Sequence, residues 1–155
     1  MNKKKITEIL TSALQHHKKN NLDIAKRLYE KVLKIDPNHF ETIFLLGSLL
    51  SQSKNFVKGQ ELLYHASQMN PNSSKVQNNL GMVLKELKRF EESINCFEKA
   101  IKIDPANIQA HNNLGAACEA YAQVLFKKNL HKQAVNFIQK GCGLIRFTQE
   151  GFKII

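Results

Sequence analysis

No group of residues in this chain has the spacing of a catalytic or metal-binding set. The six histidines are His16, His17, His39, His65, His111 and His131, and none pairs with another, or with a cysteine, at a spacing that sets two ligands on one helix face. His16 and His17 are neighbours, which on a helix point about 100° apart. Cys96, Cys118 and Cys142 are odd in number and make no Cys-x-x-Cys pair, so neither a disulfide framework nor a zinc site is expected. Cys96 and Cys118 fall where a helix packs small apolar residues, and Cys142 has no evident base beside it. Gly141-Cys142-Gly143 lacks the other glycines of a phosphate loop, and no Gly-x-Ser-x-Gly elbow occurs. We therefore expect no metal, no cofactor and no catalysis. The polar groups that remain are binding groups. Asn79 and Asn113 are the most telling pair, 34 residues apart, and each amide offers both a donor and an acceptor.

That interval runs through the chain. Pro37, Pro71 and Pro105 stand 34 residues apart, and Leu46-Gly47, Leu80-Gly81 and Leu114-Gly115 keep the same step. So do Leu22, Phe56 and Phe90, then Ile35, Met69 and Ile103, then Ala66 and Ala100. A fixed internal period of this length means stacked supersecondary units. The repeats run over residues 6–39, 40–73 and 74–107, with a fourth over 108–141. Each of the first three divides into two amphipathic helices around a polar turn, at Lys19-Asn20-Asn21, Ser53-Lys54-Asn55 and Leu87-Lys88-Arg89. In the third, Val76, Leu80, Val83, Leu84 and Leu87 form one stripe, and Phe90, Ile94, Phe97, Ile101 and Ile103 the other. Gly81 sits inside the first stripe's helix, where glycine costs about 1 kcal/mol relative to alanine. A close approach of the partner helix is the expected compensation.

This pattern resembles the tetratricopeptide repeat, whose signature is Trp-x2-Leu-Gly-x2-Tyr, then Ala-x3-Phe, then Pro. Repeat three matches at Leu80, Gly81, Leu84, Ser93, Phe97, Ala100 and Pro105, and repeat two at Ile43, Leu46, Gly47, Leu50, Gly59, Leu63, Ala66 and Pro71. Repeat one is poorer, with Ser12 and His16 where the family has apolar residues, as an end cap allows. In repeat four Ala134 arrives 20 residues after Leu114, where Ser93 follows Leu80 by 13, an insertion of seven around residues 119–125. Seven residues restore the helix face, so the first helix of repeat four is expected to be longer. The resemblance implies an all-α fold: a right-handed superhelical solenoid of antiparallel helix pairs over residues 1–143. Residues 144–155 are too apolar for a solvated tail and carry two β-prone runs around Gln149-Glu150-Gly151. They are expected either to cap repeat four or to begin a further domain.

In this family the first helix of each pair lines a concave binding groove. Carried over, the lining is Phe44 and Ser48, then Lys75, Asn78, Asn79, Met82 and Lys85, then Gln109, Asn112, Asn113, Ala116 and Glu119. Asn79 and Asn113 resemble the asparagine ladder of O-linked N-acetylglucosamine transferases, in which each amide holds a peptide backbone. The family's carboxylate clamp for chaperone C-termini does not match, because Leu10 and Leu14 stand where it needs lysine and asparagine.

Composition adds the outer limits. Hydrophobic residues are 43% and charged residues 23%, ordinary for a globular chain. No apolar run reaches the roughly 20 residues of a membrane span, and the stretch after the basic start lacks a clean apolar core for a signal peptide. A cytoplasmic protein without membrane contact is expected. The net charge of +10 comes from dispersed lysines with only three arginines, Arg27, Arg89 and Arg146, so nucleic acid is not expected as partner. The expected function is a protein–protein interaction module that binds a neutral to acidic peptide or helix of another protein, with self-association open. The alternative is the recruiting arm of a larger glycosyltransferase- or dioxygenase-type enzyme.

Overall fold

The computed structural model describes residues 2–142, 145–148 and 151–154, with side chains over 3–141. It divides into two units, residues 1–72 and 73–155. The first holds α1 (Asn2–Lys18), α2 (Leu22–Ile35), α3 (Phe40–Gln52) and α4 (Phe56–Met69). The second holds α5 (Ser74–Glu86), α6 (Phe90–Ile103), α7 (Ile108–Lys127), α8 (His131–Cys142), β1 (Ile145–Thr148) and β2 (Gly151–Ile154). The helices pair as α1–α2, α3–α4, α5–α6 and α7–α8, and within the units α2 also packs on α3 and α6 on α7.

One turn design closes all four pairs. Asn20, Lys54, Lys88 and Asn129 adopt left-handed backbone, with φ of 59°, 61°, 63° and 60°. The N–H of each donates to the carbonyl three residues back, at 3.0, 3.0, 2.9 and 2.9 Å. The next N–H reaches five residues back: Asn21 to His16, Asn55 to Leu50, Arg89 to Leu84 and Leu130 to Leu125, at 2.8–2.9 Å. This double bond pattern satisfies carbonyls that a helix end would otherwise leave free. Proline sets the opposite boundary. Asp36, Asn70 and Asp104 each precede a proline, which pushes them out of the helical region, and their φ values are −137°, −137° and −135°. His39, Ser73 and Asn107 then cap α3, α5 and α7 with a side-chain acceptor.

Packing explains the mid-helix glycines. A Cβ on Gly81 would stand 2.7 Å from Cε1 of the fully buried Phe97 ring, and one on Gly47 would stand 3.0 Å from Leu63 Cγ. Gly47 and Gly81, like Leu63 and Phe97, are one period apart, so α3–α4 and α5–α6 make the same close approach. The buried Ser93 hydroxyl donates to the Gly81 carbonyl at 2.7 Å, tying α6 to α5 at that crossing. In the first unit the core gathers Leu10, Ala13, Ala25, Tyr29, Leu46, Leu49 and Leu50. In the second it gathers Ile94, Phe97, Ala117 and Cys118.

α7 spans 20 residues where α3 and α5 span 13. Its added length meets α8 in a separate small cluster of Ala122, Leu125, Ala134 and Ile138. β1 and β2 then pair antiparallel, Ile145 opposite Ile154, Arg146 opposite Lys153 and Phe147 opposite Phe152. Gln149 and Glu150, on which the sequence expectation of a hairpin turn falls, lie outside the described residues, as do residues 143, 144 and 155. Among the described residues no helix is long and apolar enough to cross a membrane.

Candidate partner-binding face

α5 and α7 lie side by side in the second unit and carry most of the expected lining residues. Asn113 Nδ2 donates to Asn78 Oδ1 at 3.0 Å. Asn78 is only 4% exposed, and its own Nδ2 faces Met82 Sδ at 3.8 Å. Asn78, expected to line the groove, is buried and tied to Asn113 instead, and a buried amide that loses its partner is costly. Asn79 and Asn113 are half-buried. Lys75, Met82, Gln109, Asn112, Ala116 and Glu119 are exposed, and Met82 at 43% is an uncovered apolar side chain between polar ones. Lys85 is half-buried with Nζ 3.7 Å from Glu86 Oε1. Phe44 and Ser48 belong to α3 in the first unit, both half-buried, with the Ser48 hydroxyl donating to the Phe44 carbonyl at 2.9 Å.

The charges on the α5–α7 face balance. Lys75 and Lys85 stand against Glu86 and Glu119, so the chain's surplus of +10 does not come from here. Two groups that the repeat pattern did not point to help build this face. Asn107 Nδ2 donates to Ser74 Oγ at 2.8 Å, and Ser74 Oγ donates to the Ala100 carbonyl at 2.9 Å, which joins the starts of α5 and α7 to the end of α6. Tyr121, in the extension of α7, stacks on Phe90 at 5.6 Å between centroids and donates its hydroxyl to Glu91 Oε1 at 2.7 Å. Tyr121 and Phe90 flank a shallow cavity of about 190 Å³ whose Arg89 and Glu92 already hold each other at 2.6 Å. The only signal for Tyr121 in the sequence was the break in the period.

Cys96 and Cys118 are buried away from solvent. Burial pushes the Cys96 thiol up to about 11, far from the thiolate that nucleophilic chemistry needs, and Cys118 is fully buried. Among the described residues no three His, Cys, Asp or Glu side chains converge as metal ligands. In the first unit Leu10 is buried and Leu14 packs against its core, so no clamp for a terminal carboxylate forms at those positions.

Tandem antiparallel helix pairs with a glycine-mediated crossing and a proline-closed loop define a helical-repeat protein. Residues 13–39 match a model described as tetratricopeptide repeat, and residues 81–120 match one described as TPR repeat. The chain thus carries tetratricopeptide repeats, and its repeats are all-α. Among solved structures it is similar to MamA (41-end) from Desulfovibrio magneticus RS-1, with TM-score 0.73 and 23% identity over 88% of this chain and 73% of that one. It is also similar to the first TPR of Spaghetti (RPAP3) bound to the HSP90 peptide SRMEEVD, with TM-score 0.73 and 22% identity over 77% of this chain and 94% of that one. A third is a Thermobaculum terrenum O-GlcNAc transferase mutant, TM-score 0.75 and 24% identity, covering 90% of this chain but 27% of the transferase. No curated protein matches the chain in sequence. At these identities the likeness is one of fold.

Proposed function

We propose that the chain is a protein-interaction module that binds an extended, neutral segment of a partner along the α5–α7 face. The observation that carries this reading is the exposed Met82 set among the amides of Asn79, Asn112 and Asn113 and the charge-balanced rim. An apolar anchor gives contact area, and the amides match a backbone without fixing its side chains. The RPAP3 module, whose solved form holds a peptide, is a precedent for the fold in this role. Balanced charge favours neutral over acidic ligands, since steering by net charge is absent on this face.

The test is selection of binding peptides from a displayed library with the whole chain as bait, followed by variants. Asn112→Ala, at an exposed position, is expected to weaken the selected peptides tenfold or more while leaving thermal stability unchanged, and Met82→Asp is expected to weaken them equally, with its melting temperature measured alongside because the buried Asn78 Nδ2 faces Met82 Sδ. Selected peptides that bind both variants as tightly as the parent would overturn the reading. Asn113→Ala is not a clean probe, because it strips the buried Asn78 of its partner.

A second reading places the repeats as the recruiting arm of a larger enzyme. What favours it is that the chain spans 27% of the O-GlcNAc transferase it resembles. Intact mass from the native source decides it: a mass near 17.7 kDa removes this reading and a much larger one supports it.

A further inference from the structure

Half of the positive surplus lies in one stretch without an acidic residue. Between Glu119 and Glu150 the chain holds Lys127, Lys128, Lys132, Lys140 and Arg146 and no acidic residue, half of the net +10. Lys140 is held by Glu98 at 2.8 Å. Lys127, Lys128 and Lys132 surround the α7–α8 turn, and every residue from 127 to 132 is exposed.

This turn differs from its counterparts at its apex. The residue that ends the turn and opens the next helix is Asn21, Asn55 and Arg89 in the first three pairs, and Leu130 in the fourth. The Leu130 carbonyl accepts from Ala134 N–H at 3.0 Å, so it is the N-cap of α8; as at Asn21, Asn55 and Arg89 no side chain caps the free amides, and Leu130 is the one apolar residue of the four. It is also 41% exposed. Lys132 lies in the first turn of α8, as Lys58 does in that of α4, whereas α2 has Asp23 there and α6 has Glu91 and Glu92. The turn also stands apart from its neighbours. Tyr121 is level with the start of α6 through its stack on Phe90, and the turn lies seven or more residues further along α7, about 10 Å at 1.5 Å per residue.

We propose that this projecting turn docks the protein on the surface of a bilayer that contains anionic lipids. Leu130 enters the boundary between headgroups and acyl chains, and Lys127, Lys128 and Lys132 meet the lipid phosphates with their stems lying along the surface. A convex tip cannot enclose a peptide, and for nucleic acid it offers no arginine and one exposed ring, His131, which packs beside Phe126 at 5.7 Å between centroids. A flat anionic surface suits a protruding basic point with an apolar apex. The attraction is weak and salt-sensitive, because each lysine strengthens binding only about fivefold.

Co-sedimentation of the full chain with vesicles tests this at low salt. Binding is expected to vesicles with about 30 mol% phosphatidylserine and not to pure phosphatidylcholine. Replacing all three lysines (Lys127→Gln, Lys128→Gln and Lys132→Gln) is expected to lower binding about a hundredfold. Leu130→Asn restores the residue type of the first two pairs, and is expected to weaken vesicle binding several-fold with the helical fold intact by circular dichroism. Failure of the parent to bind the anionic vesicles overturns the proposal. So does undiminished binding by the triple variant, or a parent that binds poly(U) RNA and not vesicles.

Discussion

Gly81 and Phe97 show how much one missing methyl group decides. Alanine at position 81 gains about 1 kcal/mol of helix propensity. It also drives a Cβ to 2.7 Å from a ring that is fully buried and has no room to swing away. Overpacking of this kind costs about 1–3 kcal/mol, so the steric term wins and Gly81→Ala is expected to destabilise the protein. Denaturant titration checks it, and Phe97→Leu in the same background should recover part of the loss, since touching residues are not additive. An unchanged midpoint for Gly81→Ala would show that the crossing relaxes freely. Tyr29 gives a pH prediction at the same scale. Burial, with Glu41 nearby, raises its phenol to about 12, against about 10 in an unfolded chain. A raised value means that the neutral form is favoured in the folded state. Its stability contribution is therefore complete below pH 10 and is lost as pH climbs from about 10 through about 12. Tyr29→Phe is expected to flatten the alkaline limb of a stability–pH curve; an identical limb in parent and variant would assign the loss to other groups. The Tyr29 hydroxyl also lies 3.1 Å from His17 Nδ1, so the variant loses that contact at every pH and its curve starts lower.

At the scale of elements, the 34-residue step was legible because every unit solves the same two problems, ending a helix and starting the next. The polar triplets at 19–21, 53–55 and 87–89 marked the turns, and the prolines marked the opposite ends. What the triplets did not show is which residue takes left-handed backbone, since no glycine occupies that place and the position falls on Asn20, Lys54, Lys88 and Asn129. A non-glycine side chain there costs about 1–2 kcal/mol, less for asparagine. Lys54 is exposed, so Lys54→Gly is expected to stabilise the protein by about 0.5–1 kcal/mol, and Asn20→Gly by less. A chemical-denaturation midpoint that falls for Lys54→Gly would contradict the turn geometry. The binding face was less legible. Asn78 and Asn79 are adjacent and identical in type, yet one is buried and tied to Asn113 while the other is half-buried. They point about 100° apart, and only the placement of α7 beside α5 decides which of them is covered. Tyr121 was illegible for a similar reason: an insertion has no register with the other repeats until its helix is built.

At the scale of the whole molecule, charge is the quantity that the repeats do not share out evenly. Four ion pairs are seen among the described residues: Lys26–Glu30, Lys85–Glu86, Arg89–Glu92 and Lys140–Glu98. All have side chains open to solvent, and pairs of that kind contribute about 0–1 kcal/mol each, screened further by salt. Against them stands a net charge of +10 on 155 residues, whose self-repulsion acts on the folded chain more than on an expanded one. The two effects have opposite salt dependence. Screening removes the attraction of four weak pairs, and it also removes the repulsion among the uncompensated lysines, several of which crowd the α7–α8 turn. With a Debye length of about 30 Å at 0.01 M shrinking to a few Å near 1 M, the repulsion has the longer reach and loses more. The melting temperature is therefore expected to rise between about 0.01 M and about 0.5 M sodium chloride, and the rise should be smaller in the variant with Lys127, Lys128 and Lys132 replaced by glutamine. A melting temperature that falls with salt would mean that the exposed pairs, Arg89–Glu92 foremost, hold more of the fold than their exposure implies.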